Sequence, residues 1–253
     1  MSALVVIPAR HASTRLPGKP LLRQTGKYLI QHVYERACLC VKASAVVVAT
    51  DDPRIVAAVE SFGGNVAMTR RDHPSGTDRV AEVARRYDEE IVINLQGDEP
   101  LIEPGAVDGL IDLLRTDPAA QMATLATPIR SEEQWRNPAC VKVVCDDAGS
   151  ALYFSRSAIP FVRDGSPDLA ARPARFLQHV GLYGYRRSAL FQFAAMPPSS
   201  VEQIEKLEQL RALAAGWRIR VGLIDEPSLG VDTYEDYQRF LAMYRGMQGK
   251  RAA

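Results

Sequence analysis

Hydrophobic residues along the chain fall into two kinds of run. Residues 4–7, 45–50, 65–68 and 91–95 are short apolar stretches, most of them rich in Val and Ile, the pattern of strands buried on both faces. Between them, residues 28–41, 54–62 and 77–87 carry apolar side chains at helical spacing. Asp52-Pro53 and Ser75-Gly76 stand where an N-cap and a first helical turn need them. Strand alternating with helix predicts right-handed βαβ units and a mainly parallel sheet. In such a sheet, ligands bind beyond the carboxyl ends of the strands, near the point where strand order reverses.

The middle of the chain has another rhythm. Residues 121–127, 139–146 and 150–155 read as antiparallel strands, and Asp147-Ala148-Gly149 makes the last two a hairpin. Residues 159–175, rich in Pro, Asp, Gly and Arg, form a loop, and 180–185 is a further strand. A helix is expected over 201–215, with Ser200 as its N-cap and Gln203 as the third-position partner. A strand at 218–223, a loop at 225–232 and a terminal helix from about Tyr234 complete the chain. The expected fold is α/β: a single Rossmann-like, three-layer α/β/α domain over 1–253, with a mainly parallel sheet and an antiparallel subdomain inserted at about 128–185.

Composition narrows the function class. The chain has 253 residues and is 47% hydrophobic, enough for a full core. Lys plus Arg exceed Asp plus Glu by one, so nothing overall points to nucleic acid or an anionic membrane. No apolar run approaches the ~20 residues that span a bilayer, and the N-terminus shows no basic leader, so a cytoplasmic protein is expected. Cys38, Cys40, Cys140 and Cys145 match neither a zinc site nor a CxxC pair and read as small apolar packers.

Three segments carry candidate chemistry. After the first strand, Pro8 to Pro20 sets Arg10, Arg15 and Lys19 among small residues. Approachable backbone N–H groups with such cations suit a polyphosphate, and the alternative is a solvated basic loop. After the fourth strand, Gln96-Gly97-Asp98-Glu99-Pro100 offers Asp98 as an oxygen ligand for Mg²⁺, or merely as a turn carboxylate. Asp232, after a late strand and a glycine-bearing loop, is a second such ligand or the N-cap of the terminal helix. The segment 70–79 ends at a helix N-terminus, a further anion contact or an ordinary capped start.

Taken together, these segments resemble the sugar nucleotidyltransferases, and within them the 3-deoxy-manno-octulosonate (KDO) cytidylyltransferase family. The likeness runs nearly end to end. It is carried by Ile7-Pro8-Ala9-Arg10, Ser13-Thr14-Arg15-Leu16-Pro17-Gly18-Lys19-Pro20, Ser75-Gly76-Thr77-Asp78-Arg79 and Gln96-Gly97-Asp98-Glu99-Pro100. Further on it includes Tyr153-Phe154-Ser155-Arg156, Gln178-His179-Val180-Gly181-Leu182-Tyr183, Glu205-Lys206-Leu207-Glu208-Gln209 and Gly230-Val231-Asp232-Thr233. Tyr28 and Tyr234 stand where the family usually has proline.

The resemblance implies transfer of CMP from CTP to KDO, with Mg²⁺ as cofactor, for lipopolysaccharide synthesis in a cytoplasmic homodimer. It implies that Arg10, Ser13, Arg15 and Lys19 hold the triphosphate, with Arg71, Ser75 and Gly76 on the nucleotide side. Lys19, Arg10 and Asp98 would be catalytic, and Asp98 and Asp232 would ligate the metal. Gln96, Arg156, His179, Tyr183, Glu208 and Gln209 would line the sugar pocket, with Arg156 the candidate for the sugar acid. Read without the family, His179 is equally a structural histidine, Tyr183 a core aromatic and Glu208 part of a solvated helix face. Competing readings are a CMP-transferase for sialic acid or an amino-substituted KDO, a metal-dependent glycosyltransferase of similar architecture, and a nucleotide sensor without catalysis.

Overall fold

The structure is a computed structural model that describes residues 1–12 and 15–252, with only the backbone for 249–252. The chain divides into two compact units, residues 1–108 with 228–253, and residues 109–227. The antiparallel strands that the sequence places around 128–185 lie inside the second.

In the first unit the strands are β1 (Ala3–Ala9), β2 (Ala45–Thr50), β3 (Val66–Met68) and β4 (Ile91–Asn94), with helices α1 (Leu29–Ala37), α2 (Pro53–Ser61) and α3 (Gly76–Ala84) between them. Both flanking pairs of β1 and the β2–β3 pair are parallel, giving the order β3-β2-β1-β4. The chain thus builds outward from β1 on one side and then returns to place β4 on the other. That reversal is the topological switch point, and it sets the turns after β1 and β4 side by side. Asp52 and Ser75 cap α2 and α3 by accepting from the N–H groups of Arg54 and Asp78, as the sequence indicates.

Helix α4 (Pro104–Thr116) leads into the second unit, where β5 (Met122–Pro128) is central. After it come α5 (Glu132–Arg136), β6 (Lys142–Cys145), β7 (Ala151–Ser155), β8 (Leu177–Arg186), α6 (Arg187–Ala195), α7 (Ser200–Glu205), α8 (Leu210–Ala214) and β9 (Ile219–Leu223). Strand β5 runs antiparallel to β8 and parallel to β9, while β6 and β7 form the expected hairpin. The expectation of an α/β fold with a mainly parallel core and antiparallel additions is met. Helix α9 (Tyr234–Ala252) closes the chain in the first unit. No described helix is long and apolar enough to cross a membrane.

Three local expectations need correction. Helices α4, α5 and α6 do not stand out in the sequence reading. The single helix expected over 201–215 is two short ones, interrupted at Lys206, which has φ 55°. Its capping box is Ser199 with Glu202 rather than Ser200 with Gln203. A break without Gly or Pro has no signature in the sequence, and a one-residue shift of a Ser-Ser cap is decided only by which hydroxyl reaches the third N–H.

One buried cation knits the second unit. Lys142 is fully buried, and its ammonium donates to the carbonyls of Asn137 (2.9 Å), Cys140 (2.6 Å) and Arg156 (2.6 Å). Burial lowers its pKa, so the charge persists because three acceptors surround it. Replacing Lys142 by Met would keep the volume but take the ammonium from the Cys140 and Arg156 carbonyls, while the Asn137 carbonyl keeps the Cys140 N–H. At ~1–3 kcal/mol for an unsatisfied buried group, the variant is expected to show a clearly lower urea midpoint than wild type, measured by tryptophan fluorescence.

Candidate functional site

In the first unit, the turn after β1 is shaped by two constraints. Gly18 takes φ 66°, and its N–H bonds the carbonyl of His11, which folds the basic segment back and starts a 3₁₀ turn at Lys19. Leu16, buried in the middle of this polar run, packs with Leu29 of α1 and with Val231, Tyr237, Phe240 and Leu241 at the other end of the chain. That apolar anchor holds the loop against the terminal helix.

The turn after β4 comes equally close. A Cβ at Gly97 would lie 2.8 Å from the carbonyl oxygen of Pro8, so only glycine lets the two turns meet. Beyond it, the Asp98 carbonyl accepts from the Val231 N–H at 2.8 Å. Glu99 accepts from Ser228 Oγ at 2.6 Å, and burial pushes its carboxyl up to about 7. These bonds draw the 228–232 loop onto the 96–100 turn, a role for Glu99 and Ser228 that sequence reasoning missed.

The result is a compact charge cluster. Lys19 Nζ donates to Asp98 Oδ2 at 2.7 Å and to Asp232 Oδ1 at 3.1 Å, and Arg15 Nη2 pairs with Asp232 Oδ2 at 3.1 Å. Asp232 is not the helix cap. Thr233 and Asp236 cap α9 reciprocally, with Asp236 Oδ2 accepting from the N–H groups of Asp232 and Thr233 and Thr233 Oγ1 accepting from the Asp236 N–H. The Asp232 side chain is therefore left for the cluster. Two carboxylates converging on one cation form a hard oxygen donor set, which fits Mg²⁺, an ion usually held by one or two carboxylates plus substrate phosphates. Among the described residues no group of three or more His, Cys, Asp or Glu could hold a metal by itself.

The remaining nucleotide-side candidates have mixed placements. Arg10 Nη2 donates to the His73 carbonyl at 3.1 Å, tying the β1 turn to the 70–75 loop. Arg71 is exposed on that loop. Ser75 is engaged in capping α3 and also donates to Asp78 Oδ2, with Gly76 the first residue of the helix. Ser13 lies outside the described residues. Arg79, given no role of its own in the sequence, is fully buried; it hydrogen-bonds Thr69 Oγ1 and lies 3.3 Å from Asp51, joining α3 to the ends of β2 and β3.

Of the sugar-side candidates, Gln96 belongs to the first unit, where its amide donates to Asn94 Oδ1. The other five belong to the second. There a cavity of about 360 Å³ is lined by His179, Tyr183, Glu208 and Gln209, along with Lys206 and the backbone around Gly181. Four positions along a regular strand span ~13 Å, yet the rings of His179 and Tyr183 lie 5.4 Å apart. An irregularity opposite Thr124/Leu125 absorbs two residues of β8 and closes that gap. Arg156 is turned elsewhere: Nε donates to the Glu205 carbonyl at 2.9 Å and Nη1 to the Pro138 carbonyl at 3.1 Å.

Hydrogen bonds set the chemistry of this cavity. Thr124 Oγ1 gives its proton to a β8 carbonyl, Leu182 at 2.9 Å or Val180 at 3.1 Å, so it accepts from Nε2–H of His179 at 2.9 Å. Burial holds the His179 pKa down at about 3, leaving a neutral ring with its Nδ1 lone pair free of that bond. Burial and the charge of Glu208 raise the Tyr183 pKa, and its hydroxyl donates to Gln209 Oε1 at 3.1 Å. That fixes the Gln209 amide, whose buried Nε2 has no hydrogen-bond partner.

The model of a family described as Cytidylyltransferase matches residues 4–219. The chain belongs to the cytidylyltransferase family. The 3-deoxy-manno-octulosonate cytidylyltransferase of Syntrophotalea carbinolica is 52% identical over 250 residues, covering 98% of this chain and 100% of the relative. That of Geobacter sulfurreducens is 53% identical over 246 residues, covering 95% and 98%. A solved structure of CMP:2-keto-3-deoxy-manno-octonic acid synthetase complexed with CTP superposes with a TM-score of 0.91 at 48% identity, covering 98% and 100% of the two chains.

For this cytidylyltransferase the neutral histidine has a measurable signature. The unfolded chain binds a proton on His179 from about pH 6.5 downward, while the folded chain does so only near 3. Stability is therefore expected to fall as pH drops through that window, by up to ~1.4 kcal/mol per pH unit from this group. Nitrogen NMR of His179 is expected to show the Nε2–H tautomer unchanged from pH 8 to pH 5. A mid-range titration would contradict the assignment.

Proposed function

We propose that the chain transfers CMP from CTP to KDO and releases pyrophosphate. The observation that carries this reading is the Arg15, Lys19, Asp98 and Asp232 cluster at the switch point of the first unit, in a chain whose relatives bear that activity in their names. The anomeric hydroxyl oxygen of KDO attacks the α-phosphorus of CTP in line, and the bond to the β-phosphate oxygen breaks. The chemistry needs positioning and neutralisation of the charge on the phosphoryl oxygens. Arg10, Arg15 and Lys19 supply the cations for the triphosphate and for the departing pyrophosphate. The second unit supplies a neutral imidazole acceptor at His179, a carboxylate at Glu208 for sugar hydroxyls, and an amide donor at Gln209.

Asp98 and Asp232 would hold Mg²⁺, which supplies charge neutralisation at phosphate oxygens when bound. With CTP as co-substrate, the reading places the enzyme in the cytoplasm. We also infer a homodimer; Leu152, Tyr153 and Phe161 in the second unit are exposed large apolar side chains, and hydrodynamic mass tests it.

Pyrophosphate release from CTP, with KDO, an amino-substituted KDO and sialic acid offered in turn, is the deciding experiment. KDO is expected to support the fastest release; preference for another acidic sugar would overturn the assignment. Asp98→Asn is expected to lower turnover by about 10²–10³ while the protein stays folded by circular dichroism. Near-normal turnover in that variant would remove Asp98 from the metal role.

A further inference from the structure

Lys206 is the one non-glycine residue with positive φ among the described residues. It ends α7, the place where helices commonly turn through a left-handed residue that is usually glycine. Were the turn all that mattered, glycine would serve it without a steric cost. The surrounding bonds force the conformation on a lysine. Glu205 Oε1 accepts from Ser155 Oγ at 2.5 Å, Oε2 from the Arg156 N–H at 3.0 Å, and the Glu205 carbonyl accepts from Arg156 Nε. On the other side, Arg211 Nη2 pairs with Glu202 at 2.6 Å. Residues in sparsely populated backbone regions persist where their surroundings over-determine them, and they gather at ligand sites.

What the turn accomplishes is visible in the cavity of the second unit. It brings Lys206, Glu208 and Gln209 into the lining of the cavity that holds His179 and Tyr183. Lys206 takes part in no ion pair or side-chain hydrogen bond among the described residues. The Gln209 amide, 3% exposed, has its Nε2 without a partner. A cation and an unsatisfied N–H donor lining one cavity match a carboxylate, which accepts on two oxygens. Arg156, whose Nε and Nη1 are spent on backbone carbonyls, is the strut behind this wall.

We propose that Lys206, with Gln209 Nε2, receives the carboxylate of the acidic sugar, and that Arg156 is a positioning residue that holds the Lys206 turn. The inference rests on the sugar-acid reading above. It makes selection for an acidic sugar a property of the strained turn.

Lys206→Gly tests it cleanly, because glycine keeps the turn while the cation is lost. The variant is expected to keep or raise its melting temperature and to leave the KM for CTP within about twofold. Its KM and calorimetric affinity for KDO are expected to weaken by about 10- to 100-fold, the range for a lost charge-assisted bond. The KDO carboxamide is expected to bind wild type and variant alike. Arg156→Met is expected to weaken acid and amide equally. An unchanged KDO affinity in Lys206→Gly, an equal loss for the amide, or a carboxylate-specific loss confined to Arg156→Met would each overturn the proposal. If wild type instead prefers another acidic sugar, the KDO reading fails, and that sugar with its amide tests Lys206 in the same way. If no acidic sugar supports pyrophosphate release, both fall.

Discussion

The ammonium of Lys19 is shared by two carboxylates that the chain carries 79 and 213 residues further on. Everything around it in the first unit serves that convergence. The reversal of strand order at β1 puts the turns after β1 and β4 next to each other. Gly97 lets them touch, Gly18 folds the basic segment back, and Leu16 pins it to the terminal helix. The Val231 N–H on the Asp98 carbonyl then delivers Asp232 from the far end of the chain. A charge cluster of this kind is costly to assemble unless backbone hydrogen bonds and apolar anchors fix its members first. Here they do.

The second unit applies the opposite logic. Two of its cavity groups are kept neutral by burial: His179 is kept from protonating and Tyr183 from ionising. Thr124 and Tyr183 spend one polar atom each to orient His179 and Gln209, which leaves an acceptor on the histidine and a donor on the glutamine. The irregularity in β8 and the left-handed turn at Lys206 are the two backbone departures that aim these side chains. Sugar hydroxyls and a carboxylate need acceptors and donors at set positions, and this unit sets them by backbone departures and desolvation beside the charges of Lys206 and Glu208.

Much of the architecture was legible because periodicity reports burial directly. The four parallel strands, the caps at Asp52 and Ser75 and the β6–β7 hairpin follow from short-range rules, and the structure has them. The cations and Asp98 were legible because they sit at the ends of predicted strands. What the sequence could not show are choices between equally good local states. Ser199 and Ser200 are both competent caps; Asp232 and Thr233 both suit a helix start. Thr233 with Asp236 won that place, which is why Asp232 is left for chemistry. The roles of Glu99, Ser228, Arg79 and Lys142 were not legible because their partners are distant in the chain or are backbone carbonyls.

The sequence by itself determined the fold class, the family and the chemical types at the first site, since these depend on apolar period and on motifs read within a few residues. Only the tertiary structure decided that Lys19 bridges Asp98 and Asp232, that Arg156 faces backbone carbonyls, and that Lys206 stands on the cavity wall. Those outcomes are set by which long-range hydrogen bond satisfies a buried group at least cost, and that competition is settled between segments the sequence keeps far apart.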